Sequence, residues 1–248
     1  MELFTGTIEF LRSFIDGTDS RKTWHEDRRR VWPEGGGRNI VLKEDMGLEL
    51  GSPEKESLSC LLWTENLSNI ADGIITLIGP DFSESVGKSL PFGKVVLVGV
   101  EGFTEENAYD RHRQMDLLRY DLDLRGFMMR AVSQYMREWC RISMGAIGEG
   151  FKVQVLGSAL MALFRRELFV KAVELIYVTS STNDVNKLKQ ITSPAEKIIS
   201  AMNKMIGEMD YDCDSCDYQA VCDDASQLKS MREVMIKKAR ESREAKND

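Results

Sequence analysis

Between residues 38 and 100 the apolar residues fall into four short runs: Asn39–Lys43, Ser57–Trp63, Gly73–Ile78 and Lys94–Val98. Turn formers such as Gly51-Ser52-Pro53 and Gly79-Pro80-Asp81 separate them. Runs this short, bounded this way, predict β-strands. Asp72-Gly73 precedes one run and suits a hairpin turn. From about residue 104 the period changes. Thr104-Glu-Glu-Asn opens with a hydroxyl residue followed by acids, a helix start, and helices are predicted to Leu118 and over about 126–142. Gly150–Val155 alternates like a strand, 158–168 reads as helix and Val173–Thr179 as strand. That order implies a βαβ crossover. Ser180–Asn183 and Ser193–Ala195 read as capping turns into helices over about 182–190 and 194–208, before a charged helix over about 225–245. The predicted class is α+β: a mixed sheet with packed helices and a C-terminal helical segment. Residues 1–185 form the expected body, and 186–248 the helical segment that carries a cysteine cluster.

Composition narrows the function classes. The 248 residues are 42% hydrophobic and 29% charged, which argues against disorder. Stretches such as Lys94–Val100 fall well short of the roughly 20 apolar residues that span a bilayer. Met1–Phe10 lacks a basic leader followed by an apolar core. A cytoplasmic protein with no membrane contact is expected. The net charge of -7 argues against nucleic-acid binding, although Arg21, Lys22, Arg28, Arg29 and Arg30 concentrate positive charge near the N-terminus.

Three of the five cysteines, Cys213, Cys216 and Cys222, lie within ten residues in the spacing C-x2-C-x5-C. A two-residue gap lets two thiolates grip one centre, and soft sulfur selects zinc or an iron–sulfur cluster over hard cations. Either needs a fourth ligand. His25 and His112 are distant in sequence, leaving Cys140 or Cys60 to be brought in by folding. A [4Fe–4S] cluster is preferred, with zinc the alternative and free loop thiols the bland reading. Asp212, Asp214, Asp217, Asp223 and Asp224 surround the thiolates. They would lower a cluster's potential, or simply solvate the loop. With Tyr218 and Val221 inside it, the pattern resembles the three-cysteine ends of iron–sulfur proteins such as the CRISPR-associated and recombination exonucleases. A nuclease, however, would need an Asp…Glu-x-Lys set on strands, and none follows an apolar strand in order.

Other groups offer an anion site. Gly36 and Gly37, ahead of Arg38, can present backbone N–H groups to a phosphate, but a glycine triplet also marks a plain tight turn. No Gly-Lys-Ser/Thr follows, so this is not a P-loop. Arg28, Arg29, Arg30, Trp24 and Trp32 can pair with phosphates and stack on a base, though arginine runs are commonly solvated. No nucleophile–base pair accompanies His25 or His112, and each reads as a surface or hydrogen-bonded histidine. No catalytic residue is assigned. Met128, Met129, Met136 and Trp139 fall near helical spacing and read as core.

The ordered series Gly35–Pro53, Leu58–Thr64, Gly126–Arg130, Trp139–Ser143, Gly150–Gly157 and Val170–Ser180 resembles the acetyl-CoA synthase subunit of the carbon monoxide dehydrogenase/acetyl-CoA synthase complex. The likeness covers roughly residues 30–185. It implies an α+β middle region concerned with coenzyme A binding and domain movement. The nickel-bearing cluster of that family needs a Cys-Gly-Cys turn, which this sequence lacks, so nickel and acetyl assembly are not carried over. A truncated relative is expected, acting in binding or electron transfer in anaerobic one-carbon metabolism. Its partners would belong to that complex or to a corrinoid methyl-transfer system. A zinc-stapled interaction module is the rival.

Overall fold

The computed structural model describes residues 2–37, 40–132, 136–207 and 218–244. In chain order the elements are α1 (Thr5–Asp16), β1 (Arg21–His25), β2 (Met46–Leu50), β3 (Ser57–Thr64), β4 (Ile74–Ile78), β5 (Ser89–Leu90), β6 (Phe92–Val100), α2 (Ala108–Leu118), β7 (Phe127–Val132), β8 (Arg137–Ser143), α3 (Met144–Gly148), α4 (Val153–Phe164), β9 (Val170–Val178), α5 (Thr182–Gly207), α6 (Gln219–Asp224) and α7 (Ser226–Glu244). A five-stranded sheet runs β1-β4-β9-β6-β3 and a four-stranded sheet runs β5-β2-β8-β7. Both are mixed. In the larger one β4 pairs parallel with β9 and β3 with β6, while β1–β4 and β6–β9 are antiparallel. The predicted α+β class with a mixed sheet is the one observed.

Helices cover the larger sheet on both faces, and this explains its unbroken apolar strands. Register aligns Ile75, Leu175, Val96 and Leu61 in one row across β4, β9, β6 and β3. Gly157 of α4 lies so close to Ile75 that an added Cβ would sit 2.8 Å from its Cδ1. Helix α4 therefore covers this face. On the opposite face Gly93 lies beneath Leu188 of α5, and the buried Glu174 carboxylate receives both guanidinium arms of Arg12 from α1.

The four-stranded sheet packs on the α4 side through β8. Along β8 burial alternates: Glu138, Cys140 and Ile142 are buried, while Arg137, Trp139 and Arg141 are half-exposed. Glu138 is a carboxylate in the interior, and it is fully engaged. Lys94 of β6 donates to its Oε2, Ser59 Oγ donates to the same atom at 3.0 Å, and Ser59 in turn accepts from Arg119 at 3.2 Å. Arg119 also pairs with Asp116 at 2.8 Å. Burying charge is tolerable only when it is paired and hydrogen-bonded in this way.

Several expectations are corrected here. Residues 126–142 are not a helix but the antiparallel pair β7–β8, in register Phe127↔Ile142. Gly126 opens it at φ 76°, where an added Cβ would meet Ser143 Oγ at 2.5 Å. Of the four residues read as core, Met128 is buried and Met129 and Met136 pack against the core, from strands and their flanks, whereas Trp139 lies half-exposed on the outer face of β8. Gly150–Val155 is not a strand; α4 starts at Val153, and Val153, Leu156, Leu160 and Phe164 form its buried stripe. The parallel partner of β9 is consequently β4. Residues 40–43 form no strand. Ser193–Ala195 starts no new helix, because Pro194 lies inside the continuous α5. Buried Val185, Leu188, Thr192, Ala195 and Met202 keep helical spacing across the proline. That packing outweighs the roughly 3 kcal/mol an interior proline costs. The start of α5 matches its predicted cap: Ser181 Oγ accepts from Asp184 N at 3.1 Å. Among the described residues no helix is long and apolar enough to cross a membrane.

Candidate functional site

A cleft of about 440 Å³ opens between the chain at 26–34, residues 121–124 and helix α4. The leading wall is folded by Asp27. Its Oδ1 accepts the N–H groups of Arg29 (3.0 Å) and Arg30 (3.2 Å), while its own N–H donates to Ser158 Oγ of α4 at 2.9 Å. This turn throws Arg28 and Arg30 to the cleft, leaving Arg29 exposed outside the lining. Trp32 is buried in the wall, with Nε1 donating to Arg125 O at 2.9 Å and its ring edge-on to Phe151. Little of its face reaches the cleft, so its part is to support Arg30, whose guanidinium lies 5.9 Å from the ring centre. Trp24 sits on β1 opposite Ile75 and packs on the core, outside the lining.

Two partners were not evident in the sequence. Arg165, at the end of α4, bridges Glu26 at 3.1 Å and Asp72 at 2.7 Å, and Glu26 also holds Arg28. Asp123 closes the glycine turn: its carboxylate accepts from Gly35 N at 3.2 Å and Gly37 N at 2.9 Å. Gly36 and Gly37 adopt φ 74° and 73°, the conformation that gathers amides around an anion. Here that anion is the chain's own carboxylate. Arg38 lies outside the described residues. Four arginines line the cleft (Arg28, Arg30, Arg165, Arg166) against five carboxylates (Glu26, Asp27, Glu34, Asp121, Asp123). There is no net positive field, and an anionic ligand must be met by exposed Arg28, Arg30 and Arg166 exchanging partners. The Arg165-Arg166 pair at a helix end was the available signal for this wall.

Of the cysteine set, Cys213 and Cys216 lie outside the described residues. Cys222 is half-buried on α6 and packs against the core. Cys60 stands mid-β3 and Cys140 mid-β8, both buried. Burial pushes both thiols well above their ordinary range, reinforced at Cys60 by Glu196 and Asp116 and at Cys140 by Glu138. A metal takes the thiolate, so these two core thiols fit a ligand position poorly. Among the described residues no group of three His, Cys, Asp or Glu side chains could hold a metal ion. His25 is exposed, as read, whereas His112 is buried and its Nδ1 has no hydrogen-bond partner among the described residues.

An α+β body with two mixed sheets and an arginine-bearing cleft beside α4 defines the class. Residues 34–185 match the family model for the CO dehydrogenase/acetyl-CoA synthase complex beta subunit, and the chain belongs to that family. It is 30% identical over 177 residues to acetyl-CoA decarbonylase/synthase complex subunit beta 2 of Methanosarcina thermophila, covering 69% of this chain and 36% of that relative. Against the alpha subunit of carbon monoxide dehydrogenase/acetyl-CoA synthase from Moorella thermoacetica it is 27% identical over 179 residues, covering 71% of this chain and 23% of the relative. The subunit beta of Methanothermobacter thermautotrophicus is 30% identical over 159 residues, with coverage of 63% and 32%. This chain thus spans about a quarter to a third of the length of these relatives. The matched segment contains α4 and the turn at Asp123, while Arg28, Arg30 and Trp32 stand just ahead of it.

Proposed function

We propose that this chain is a cytoplasmic coenzyme A-binding, iron–sulfur accessory protein of a CO dehydrogenase/acetyl-CoA synthase type system, serving binding or electron transfer without acetyl assembly of its own. The observation that carries it is the convergence of Arg28 and Arg30 on one cleft, on a body belonging to that family. The phosphates of coenzyme A suit guanidinium pairing. A volume of about 440 Å³ lies in the lower part of the range for small-molecule sites, roughly 300–1,000 Å³, and suits the nucleotide end. The acyl-carrying arm would then leave past exposed Val31. Cys213, Cys216 and Cys222 are proposed to hold the cluster, with the fourth position filled from outside the β3–β8 core. The relatives named above are subunits of complexes, and a protein partner of that kind, or a corrinoid methyl-transfer protein, is the expected neighbour.

Calorimetry of the full chain with coenzyme A tests the cleft. Saturable binding is expected, weakened roughly 100-fold in the Arg28→Glu/Arg30→Glu variant, as loss of two charge-assisted contacts implies. Undiminished binding in that variant, or none in the wild type, would overturn the site. Anaerobic purification with iron and sulfide analysis tests the cluster. A broad visible absorption lost in Cys216→Ala is expected, and a colourless protein holding zinc would establish the zinc-stapled module instead.

A further inference from the structure

A second cleft, of about 380 Å³, lies between β3, α2 and α5. The turn Arg119–Asp121 serves both clefts: Asp121 lines the first, Arg119 and Tyr120 the second. Its floor is polar and buried. His112, Asp116 and Arg119 follow one face of α2 and the turn after it, and Ser59 rises from β3 beside them. Arg119 is held by Asp116 and Ser59, and Ser59 by Glu138. Beside this network His112 Nδ1 is buried with no hydrogen-bond partner among the described residues. The ring is 5% exposed, and burial holds its pKa down to about 4 against the attraction of Asp116, with Arg119 lowering it further. It is therefore a neutral imidazole at physiological pH, and leaving its buried ring nitrogen unpaired carries a desolvation cost. A ligand atom at the cleft floor would remove that cost.

The walls set the ligand's chemistry. Leu61, Met136 and Ile199 are apolar, and Leu117 and Tyr120 are about half exposed at the mouth. Arg113 and Arg119 against Asp116 leave the lining one positive charge in excess. An apolar passage ending on a neutral donor and a buried guanidinium matches a monoanion with an apolar body. Phosphate would bring more charge than the lining balances and no surface for the walls.

We infer that this cleft binds a small amphipathic monocarboxylate, its carboxylate accepting from His112 Nδ1–H and the Arg119 side chain and its apolar body lying against Leu61, Met136 and Ile199. The inference is independent of coenzyme A binding in the first cleft. Calorimetry of the full chain with hexanoate, phenylacetate, hexanol and inorganic phosphate tests it. Both carboxylates should bind saturably, with hexanol and phosphate weaker by roughly tenfold or more. Exposed Arg113→Glu should weaken hexanoate roughly tenfold by reversing the charge at the mouth. His112→Phe, which keeps the ring's shape, should do the same by removing Nδ1. In nitrogen-15 spectra hexanoate should shift the His112 imidazole resonances. Equal affinity for hexanol and hexanoate, absence of carboxylate binding, or hexanoate affinity unchanged in both variants would overturn the assignment.

Discussion

In the five-stranded sheet, β3 and β6 are buried at every residue, whereas β8 of the four-stranded sheet buries only every second one. The first pattern follows from cover on both faces, by helices on one and by α4 together with β8 on the other, and the second from a sheet with one inner side. Their stabilising groups differ accordingly. The interior of the larger sheet is apolar, with buried charge admitted at Glu174 for the Arg12 staple and at Lys94, where β8 supplies the partner. The smaller sheet carries charge inward at Glu138 and turns a polar, aromatic surface outward. There Trp139 lies beneath the guanidiniums of Arg130 and Arg141, and Glu49 accepts from both the indole and Arg141 at 3.0 Å.

The contrast can be broken at its contact point. Glu138→Leu strands Lys94 in the interior and should cost about 3–5 kcal/mol in urea unfolding. The paired change Lys94→Met/Glu138→Leu should recover most of that loss, which would show the contact to be a matched pair rather than an anchor. Next in size is a pH effect beneath the larger sheet. The folded-state pKa of His112 lies near 4, below the ordinary value of 6.5. As pH falls from about 6.5 to 4 the unfolded chain takes up a proton that the folded chain refuses, so stability falls across that window by on the order of 3 kcal/mol. His112→Phe should flatten this slope in unfolding measured at several pH values. Arg12→Leu should cost about 2 kcal/mol by taking both guanidinium arms away from the buried Glu174 carboxylate, which keeps the Ala71 amide. On the outer face of the smaller sheet, Trp139→Ala should cost about 1 kcal/mol in thermal unfolding.

The same contrast explains what could be read from residues alone. Strands covered on both faces announce themselves as apolar runs, and β3, β4, β6 and β9 fall where the runs predict. In β8 the inward series includes Glu138, which disguises the alternation, while Met128, Met129, Met136 and Trp139 imitate a helical stripe. Strand β1 at the sheet edge is largely polar and exposed, so no hydrophobic run marks it. The proline in α5 suggested a break that its stripe of buried residues overrules. At the first cleft, Arg28, Arg30 and Trp32 were legible because they are neighbours in sequence. Glu26 with Arg165, and the glycine turn with Asp123, meet only through tertiary folding. The second cleft left no local signature, since His112 acquires its character from burial.

Glu138 has one more consequence. Sliding β8 by one residue along β7 would turn Glu138, Cys140 and Ile142 to solvent and bring Arg137, Trp139 and Arg141 inward. Lys94 would then face Arg137, a like charge that repels it strongly in a dry contact, or Trp139, which leaves its buried ammonium without a counter-charge. The hairpin therefore has an index mark: a single carboxylate that makes the neighbouring alignment electrostatically forbidden rather than merely less well packed.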